Sequence, residues 1–515
     1  MPSAGRWPEW ATQATGARGV RWGLLAAGAG GLYAYAVTHL TPNPYAGLAG
    51  LIALSLGLLL TFTRSAGGYA LLLLSLPLSV EVPLGSATND YRLLFPSEAL
   101  MAVLGIAFGV GALLRRAPDP RLLRHPLTGL ILLYLGWLGV TAGLSARLVV
   151  SLKWALVQGA YIAICYGLAY EFLSRRPGRV QAFFFLYGAP ALLVVGYALY
   201  HHATVGFYHD ASAIVVRPFY PDHTMYSACL ALLLPGFVAF AAQGQVLGLS
   251  KAMRGLSAAA AGLLAVAIYF SFSRAAWLGL GAALLFYGAL RLRVRPATLG
   301  GLLLAGLALA LLNQDALIQR LKLNRHSSSE RNADLAAQTL SVANISSDAS
   351  NAERLNRWSC AWRMFLDRPL TGFGPGTYQF EYLTYQRPAE MTRISVTTAY
   401  HHPLGRGGSA HSEYLLALAE TGLPGLLLLL AIVVGAVRTG MRAYYRAPDA
   451  RTRLLLAIVL TSLVGFVTHV LFNNFLNSNK AAALFWGLLA LLVRLDNGSR
   501  AAKSGEAPVV RRPIR

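Results

Sequence analysis

Residues 411–437, HSEYLLALAETGLPGLLLLLAIVVGAV, set one histidine at a polar boundary and follow it with an apolar run of bilayer length. Crossing the hydrocarbon core as a helix takes about 17–25 such residues. Comparable runs recur near 22–39, 45–63, 67–80, 97–114, 126–143, 151–173, 181–201, 224–242, 255–272, 275–290, 297–313, 454–473 and 480–494. They make about fourteen spans, with about twelve as the smaller count, the third being short enough to be partly re-entrant. Lipid tolerates only helices or closed barrels, and these runs lack barrel alternation. The expected fold class is therefore an all-α polytopic membrane protein. Composition agrees, with 56% hydrophobic and 13% charged residues among 515, outside the soluble globular range. The N-terminal segment is polar, with Trp7 and Trp10, and the first apolar run lacks a signal-peptidase-like site.

The formal net charge of +23 invites a nucleic-acid reading, which the placement of the charges argues against. Arg and Lys crowd alternate connections, as in Arg115, Arg116, Arg121 and Arg124, or Arg291, Arg293 and Arg295, or Arg438 to Arg453. The intervening connections carry only Arg92, Arg147, Lys153, Arg217, Arg274 and Lys480. The positive-inside rule then puts both termini in the cytoplasm and sets the basic connections against anionic lipid headgroups. Membrane lipids, and not nucleic acid, are the partners this pattern implies. Cys165 and Cys229 lie in apolar runs and Cys360 in a loop, so no disulfide framework is implied.

One connection stands apart. About a hundred residues separate Asn313 from His411, far beyond the usual loop length. The expected organisation is a bundle over 1–314, an outward (periplasmic) loop or lid over 315–410, further spans over 411–495 and a basic cytoplasmic tail over 496–515. Residues 324–352 are rich in Ser, Asn, Ala and Asp and read as weakly ordered. Over 353–366, Leu355, Trp358, Trp362 and Phe365 recur at helical spacing, which predicts an amphipathic helix suited to an interface or to lidding a cavity. Arg368-Pro369 ends it, and Gly372-Phe373-Gly374-Pro375-Gly376 forms a tight turn. The aromatics Tyr378, Phe380, Tyr382 and Tyr385 follow, and they suit either an interfacial belt or sugar stacking.

Ionisable groups gather on the same outward side. Arg217 precedes a span in the run Arg217-Pro218-Phe219-Tyr220-Pro221-Asp222-His223, and Ser273-Arg274 sits at a hairpin tip. Arg274 is either a snorkelling anchor or a functional group, and intramembrane ionisable residues default to the latter. Arg217, Arg274 and Arg354 with His411 form a basic set without acidic metal ligands. Guanidinium forks match phosphate oxygens, so this set suits a diphosphate at the membrane surface. His411 stands at a helix start that Ser409 or Ser412 can cap, and the helix dipole there favours a neutral ring able to accept a proton. A merely hydrogen-bonding interfacial histidine is the alternative. His401, His402 and His411 fit no zinc pattern, and Asp-x-Asp and Walker motifs are missing from the sequence. The reaction expected uses no metal and no cofactor.

These residues resemble the O-antigen ligase and Wzy-type polymerase superfamily of bacterial envelope glycan enzymes. His411-Ser412, nine residues and then Gly422-Leu423-Pro424-Gly425 is similar to that family's His-[Asn/Ser/Gln]-x9-Gly-x-x-Gly pattern, although Leu426 follows where ligases often have Gly, Thr or Tyr. Ser273-Arg274-Ala275-Ala276 resembles its Ser-Arg-Gly/Ala segment, and Arg354…Trp358 with Pro369 to Thr377 resembles the large periplasmic loop. Arg217-Pro218 through Tyr226 is similar to an Arg-Pro…Asn segment, with Asp222-His223-Thr224 in place of the usual residues. The resemblance implies a GT-C-like inner-membrane enzyme that moves a glycan from an undecaprenyl-diphosphate carrier to an acceptor hydroxyl with inversion. The acceptor would be lipid A-core for a ligase, another lipid-linked repeat for a polymerase, or a protein hydroxyl. Carried over by motif, His411 is the base and Arg274 holds the diphosphate. Arg217, Arg354, His223, Tyr226 and Glu413 are the further substrate-binding candidates. The contrasting class is a lipid-linked sugar flippase, which should carry midplane charges in paired halves; no internal repeat is evident.

Overall fold

In the computed structural model, residues 66–83, 92–113, 118–174, 178–313, 349–392 and 408–504 are described. The expected spans at 22–39 and 45–63, His401, His402, most of 324–352 and the end of the basic tail lie outside the described residues. Each of the other twelve expected spans falls on a helix. In chain order these are α1 (Ala66–Leu78), α2 (Ser97–Leu113), α3 (Pro126–Gly143) and α4 (Leu148–Ser174). Next come α5 (Arg179–Thr204), α6 (His223–Gln243), α7 (Lys251–Phe270), α8 (Arg274–Arg291) and α9 (Pro296–Leu312). The lid helix α10 (Ala349–Asp367) precedes α11 (Glu413–Arg446), α12 (Ala450–His469) and α13 (Asn479–Ser504). Eight helices among the described residues are long and apolar enough to cross a membrane. A two-stranded antiparallel ribbon, β1 (Val80–Pro83) with β2 (Arg92–Phe95), joins α1 to α2. The protein is an all-α polytopic membrane protein.

The helix starts are chemically marked. Asp222 accepts from the Thr224 and Met225 amides at the head of α6, and Asp449 accepts from the Thr452 amide at the head of α12; short acceptors of this kind satisfy orphan amides. Pro126 opens α3, where a missing N–H costs nothing. The bundle centre is α13, in which every residue from Asn479 to Val493 is buried. A helix apolar on all sides belongs in such a position. Its start carries the fully buried Lys480, whose ammonium donates to the carbonyls of Ser79 (2.8 Å), Pro77 (3.3 Å) and Phe219 and lies 4.4 Å from the Tyr220 ring. Those bonds tie α1, the loop before α6 and α13 together at one end.

Without a hydrophobic force between helices in lipid, close backbone approach must supply the packing, and small residues permit it. A Cβ on Gly279 of α8 would stand 2.6 Å from the Gly465 carbonyl oxygen of α12. At the end remote from the lid, His125 Nδ1 accepts from the Leu127 amide, so the proton sits on Nε2, which donates to the buried Asp496 at 3.2 Å. The helix of α13 continues to Ser504, nine residues into the stretch expected to be tail.

Candidate functional site

The lid is held by backbone-level contacts that begin with Gly422. This residue interrupts α11 with φ 69° and ψ −173°. A Cβ there would meet the Leu370 carbonyl oxygen at 2.3 Å, so glycine alone lets the loop after α10 lie across the helix. The break frees polar groups that the loop and α3 take up. Leu423 N–H donates to Pro369 O (2.8 Å), and Trp137 Nε1 donates to Thr421 O (2.9 Å). Pro424 then restarts the helix where its missing N–H is no loss. Gly372, at φ 63°, would bring a Cβ to 2.3 Å from the Glu420 carbonyl carbon.

Glu420 completes the junction. Its carboxylate oxygens accept from the Gly376 and Tyr378 amides, both at 2.9 Å, and its carbonyl accepts from Gly374 N–H at 2.8 Å. The tip of the α3–α4 hairpin supports the loop from the other side. Ser145 Oγ donates to Phe373 O (2.9 Å) and Arg147 pairs with Glu381 (2.6 Å).

The inward side of α10 is mixed, part polar and part apolar. Glu353, Asn356, Arg357, Cys360, Ala361 and Met364 are buried, whereas Leu355, Trp362 and Leu366 are exposed. The apolar stripe legible in the sequence is thus divided: Leu355 and Trp362 are exposed, whereas Trp358 and Phe365 are half-buried and the Trp358 ring lies 6.2 Å from that of Phe472. Arg357, 1% exposed, donates to Glu353 Oε1 (2.7 Å) and to Ser409 O (3.0 Å). Trp358 Nε1 donates to the His411 carbonyl (3.4 Å). The helix therefore clamps the two residues on either side of Ala410.

His411 adopts φ 49°, uncommon for a residue with a side chain. Its amide donates to Ser409 Oγ (3.4 Å), and Ser412 caps α11 by accepting from Leu415 N–H (3.4 Å). Burial, then the positive fields of Arg357 and Arg354, lower the imidazole to about 3, so the ring is neutral at physiological pH. Arg354 is the hub. Its Nη1 reaches Asn351 Oδ1 (3.5 Å), and the same oxygen accepts from Arg274 Nη2 (3.3 Å). Its Nε donates to Phe472 O (3.4 Å) in the α12–α13 turn. Arg354 also acts electrostatically on His223, His411 and His469. Two guanidinium groups and three imidazoles, drawn from α6, α8, α10, α12 and the segment just before α11, thus share one region. Fixed cations beside a neutral, half-buried imidazole can bind an anion and accept a proton next to it.

Of the residues singled out in the sequence, the structure brings His411, Arg274, Arg354 and His223 together. Arg217 is exposed, and its Nε donates to Pro221 O of its own loop at 3.4 Å; no described contact joins it to Arg354 or His411. Tyr226 is buried, its ring 5.4 Å from that of Tyr220, with its hydroxyl unpartnered. Glu413 is turned to the α12–α13 turn, where its carboxylate accepts from the Phe475 (3.0 Å) and Leu476 (3.3 Å) amides. Four residues of the site escaped sequence reading: Asn351, Arg357, Glu420 and His469. Glu420 and His469 carried a usable signal, being ionisable residues inside apolar runs. Asn351 carried none. Among the described residues, no three His, Cys, Asp or Glu side chains are grouped as a metal would need.

Residues 259–430 match the family model described as O-Antigen ligase. The matched stretch runs from α7 through Arg274, the lid helix and His411 to the middle of α11, and so contains most of the groups just described. No curated protein matches the chain.

Proposed function

We propose, from the premise that this chain carries the domain of the O-antigen ligase superfamily, that it transfers a glycan from an undecaprenyl-diphosphate carrier to a hydroxyl of lipid A-core. The observation that carries the reading is the hub at Asn351, where Arg274 and Arg354 meet beside the neutral His411. The acceptor hydroxyl attacks the anomeric carbon and gives its proton to His411. The new C–O bond forms as the bond from that carbon to the diphosphate oxygen breaks, and the diphosphate leaves with the electron pair. Arg274 and Arg354 offset the charge that develops on it. A diphosphate carries charge opposite to that of Arg354 and Arg357, so donor binding offsets their field and raises the basicity of the imidazole in part, while burial, the larger cause, remains.

The alternation of basic connections supports a site on the periplasmic face of the inner membrane, with both termini cytoplasmic. A flippase would need charges spread through its midplane, whereas the ionisable groups here gather under the lid. The test is transfer in vitro from lipid-linked glycan to purified lipid A-core. His411→Ala should abolish transfer with insertion intact. Arg274→Lys should be strongly impaired, because an ammonium cannot reproduce the guanidinium fork. Ordinary turnover in either variant would remove that residue from its role.

A further inference from the structure

His469, the last residue of α12, is 1% exposed, and neither ring nitrogen has a hydrogen-bond partner. Four residues on, Asn473 is 3% exposed with its side-chain amide nitrogen unpartnered. Ser273 is 2% exposed and occupies the N-cap position of α8, yet its hydroxyl caps nothing and bonds nothing. Serine at that position ordinarily accepts from an amide of the first turn. A buried polar group without a partner is costly, so three such residues together are a feature in need of a reason.

Their placement supplies one. Ser273 directly precedes Arg274, and Asn473 directly follows Phe472, whose carbonyl holds Arg354. Arg274 and Arg354 share Asn351. His469 packs on the second turn of α8, where a Cβ on Gly279 would lie 3.6 Å from His469 Cβ. The His469 ring has an apolar wall in Phe475, ring centroids 5.4 Å apart.

Donor and acceptor chemistry narrows the ligand. A neutral imidazole offers one donor and one acceptor, a hydroxyl offers both, and an amide nitrogen only donates. An ionised diphosphate only accepts, so it would leave the imidazole and hydroxyl acceptors unsatisfied. A sugar ring, whose hydroxyls donate and accept, satisfies every group in the set. Resting on the function proposed above, the geometry points to a sugar subsite formed by Ser273, His469 and Asn473, which holds the carbohydrate ring bonded directly to the diphosphate. That ring must lie beside the arginines that hold its leaving group. Its first-sugar identity would then be read here, separately from the acceptor.

The test measures binding to the full-length protein in lipid nanodiscs. The probes are undecaprenyl diphosphate and the same lipid bearing one sugar. Wild type should prefer the sugar-bearing lipid. His469→Phe, which keeps the aromatic volume, should lower that preference about tenfold by weakening the sugar-bearing lipid more than the bare diphosphate lipid. Ser273→Ala, which removes no cap, should lower it in the same direction and guards against misfolding of the first variant. A preference retained in both variants overturns the subsite. Equal losses for both lipids also overturn it, since they mark a structural role. Failure of wild type to bind either lipid overturns the donor reading itself, a result distinct from either of these.

Discussion

Replacing Glu420 by alanine removes the acceptor of two buried amides, those of Gly376 and Tyr378, each bonded at 2.9 Å. Neither amide gains water, because Gly376 and Tyr378 are buried and Glu420 is itself 3% exposed. Stranding a buried donor costs about 1–3 kcal/mol, so the loss should total about 2–6 kcal/mol, concentrated in the loop and not in the bundle. Local opening is therefore cheaper than global unfolding, and the loop should detach first. Glu420→Gln keeps one acceptor oxygen and should lose about half as much. Chymotrypsin reads the effect directly. Phe373, Tyr378 and Tyr382 are buried, so the alanine variant should be cut there while the spans stay intact. Transfer should fall with it, since the same loop follows the helix that bonds the His411 carbonyl. An alanine variant as protease-resistant as wild type would refute the claim that this carboxylate holds the lid.

Three further expectations follow from the site and its packing. Because burial and two arginines lower His411 to about 3, kcat/KM should stay level from pH 8 to about 5, while kcat, which reports the donor complex, should show its acid limb at higher pH. An acid limb in kcat/KM near 6.5 would contradict this. The sign for stability is also set: the unfolded ring binds protons that the folded one refuses, so His411 contributes stability above about 6.5 that is lost as pH falls toward 3. Gly279→Ala should destabilise by about 1–3 kcal/mol by forcing α8 from α12, since its Cβ would stand 2.6 Å from the Gly465 oxygen. Gly281→Ala, with nothing within 4 Å, should be silent in the same thermal melt.

The lid helix shows how far periodicity reaches. Leu355, Trp358, Trp362 and Phe365 announced the helix correctly, because side-chain spacing reflects the 3.6-residue turn wherever the helix lies. They could not announce which side faces the protein. In a soluble fold the apolar stripe points inward; here Leu355 and Trp362 are exposed and Arg357 is buried against Glu353. The buried side mixes Glu353 and Arg357 with Cys360, Ala361 and Met364, which join a cluster with Phe373, Tyr378 and Tyr382, so the stripe alone does not mark the packed face.

The glycine motif illustrates the opposite limit. Its spacing from His411 was legible, but its purpose appears only with Leu370 lying against Gly422. Glu413 and Glu420 make the same point. Both are acids in one apolar run, and both are turned to backbone amides of loops distant in sequence.

From the chain alone came the apolar helices, the sidedness expected of them, the long connection before His411 with its amphipathic helix, and His411 and Arg274 as the groups to follow. Those follow from local quantities: the length of an apolar run, the charge of a connection, the spacing of a motif. The convergence at Asn351, the lowered basicity of His411, the separate position of Arg217 and the orphaned groups of Ser273, His469 and Asn473 belong to the tertiary structure. Each depends on which helix ends meet, and that is decided by side-chain packing among segments hundreds of residues apart, where a one-dimensional pattern holds no record of distance.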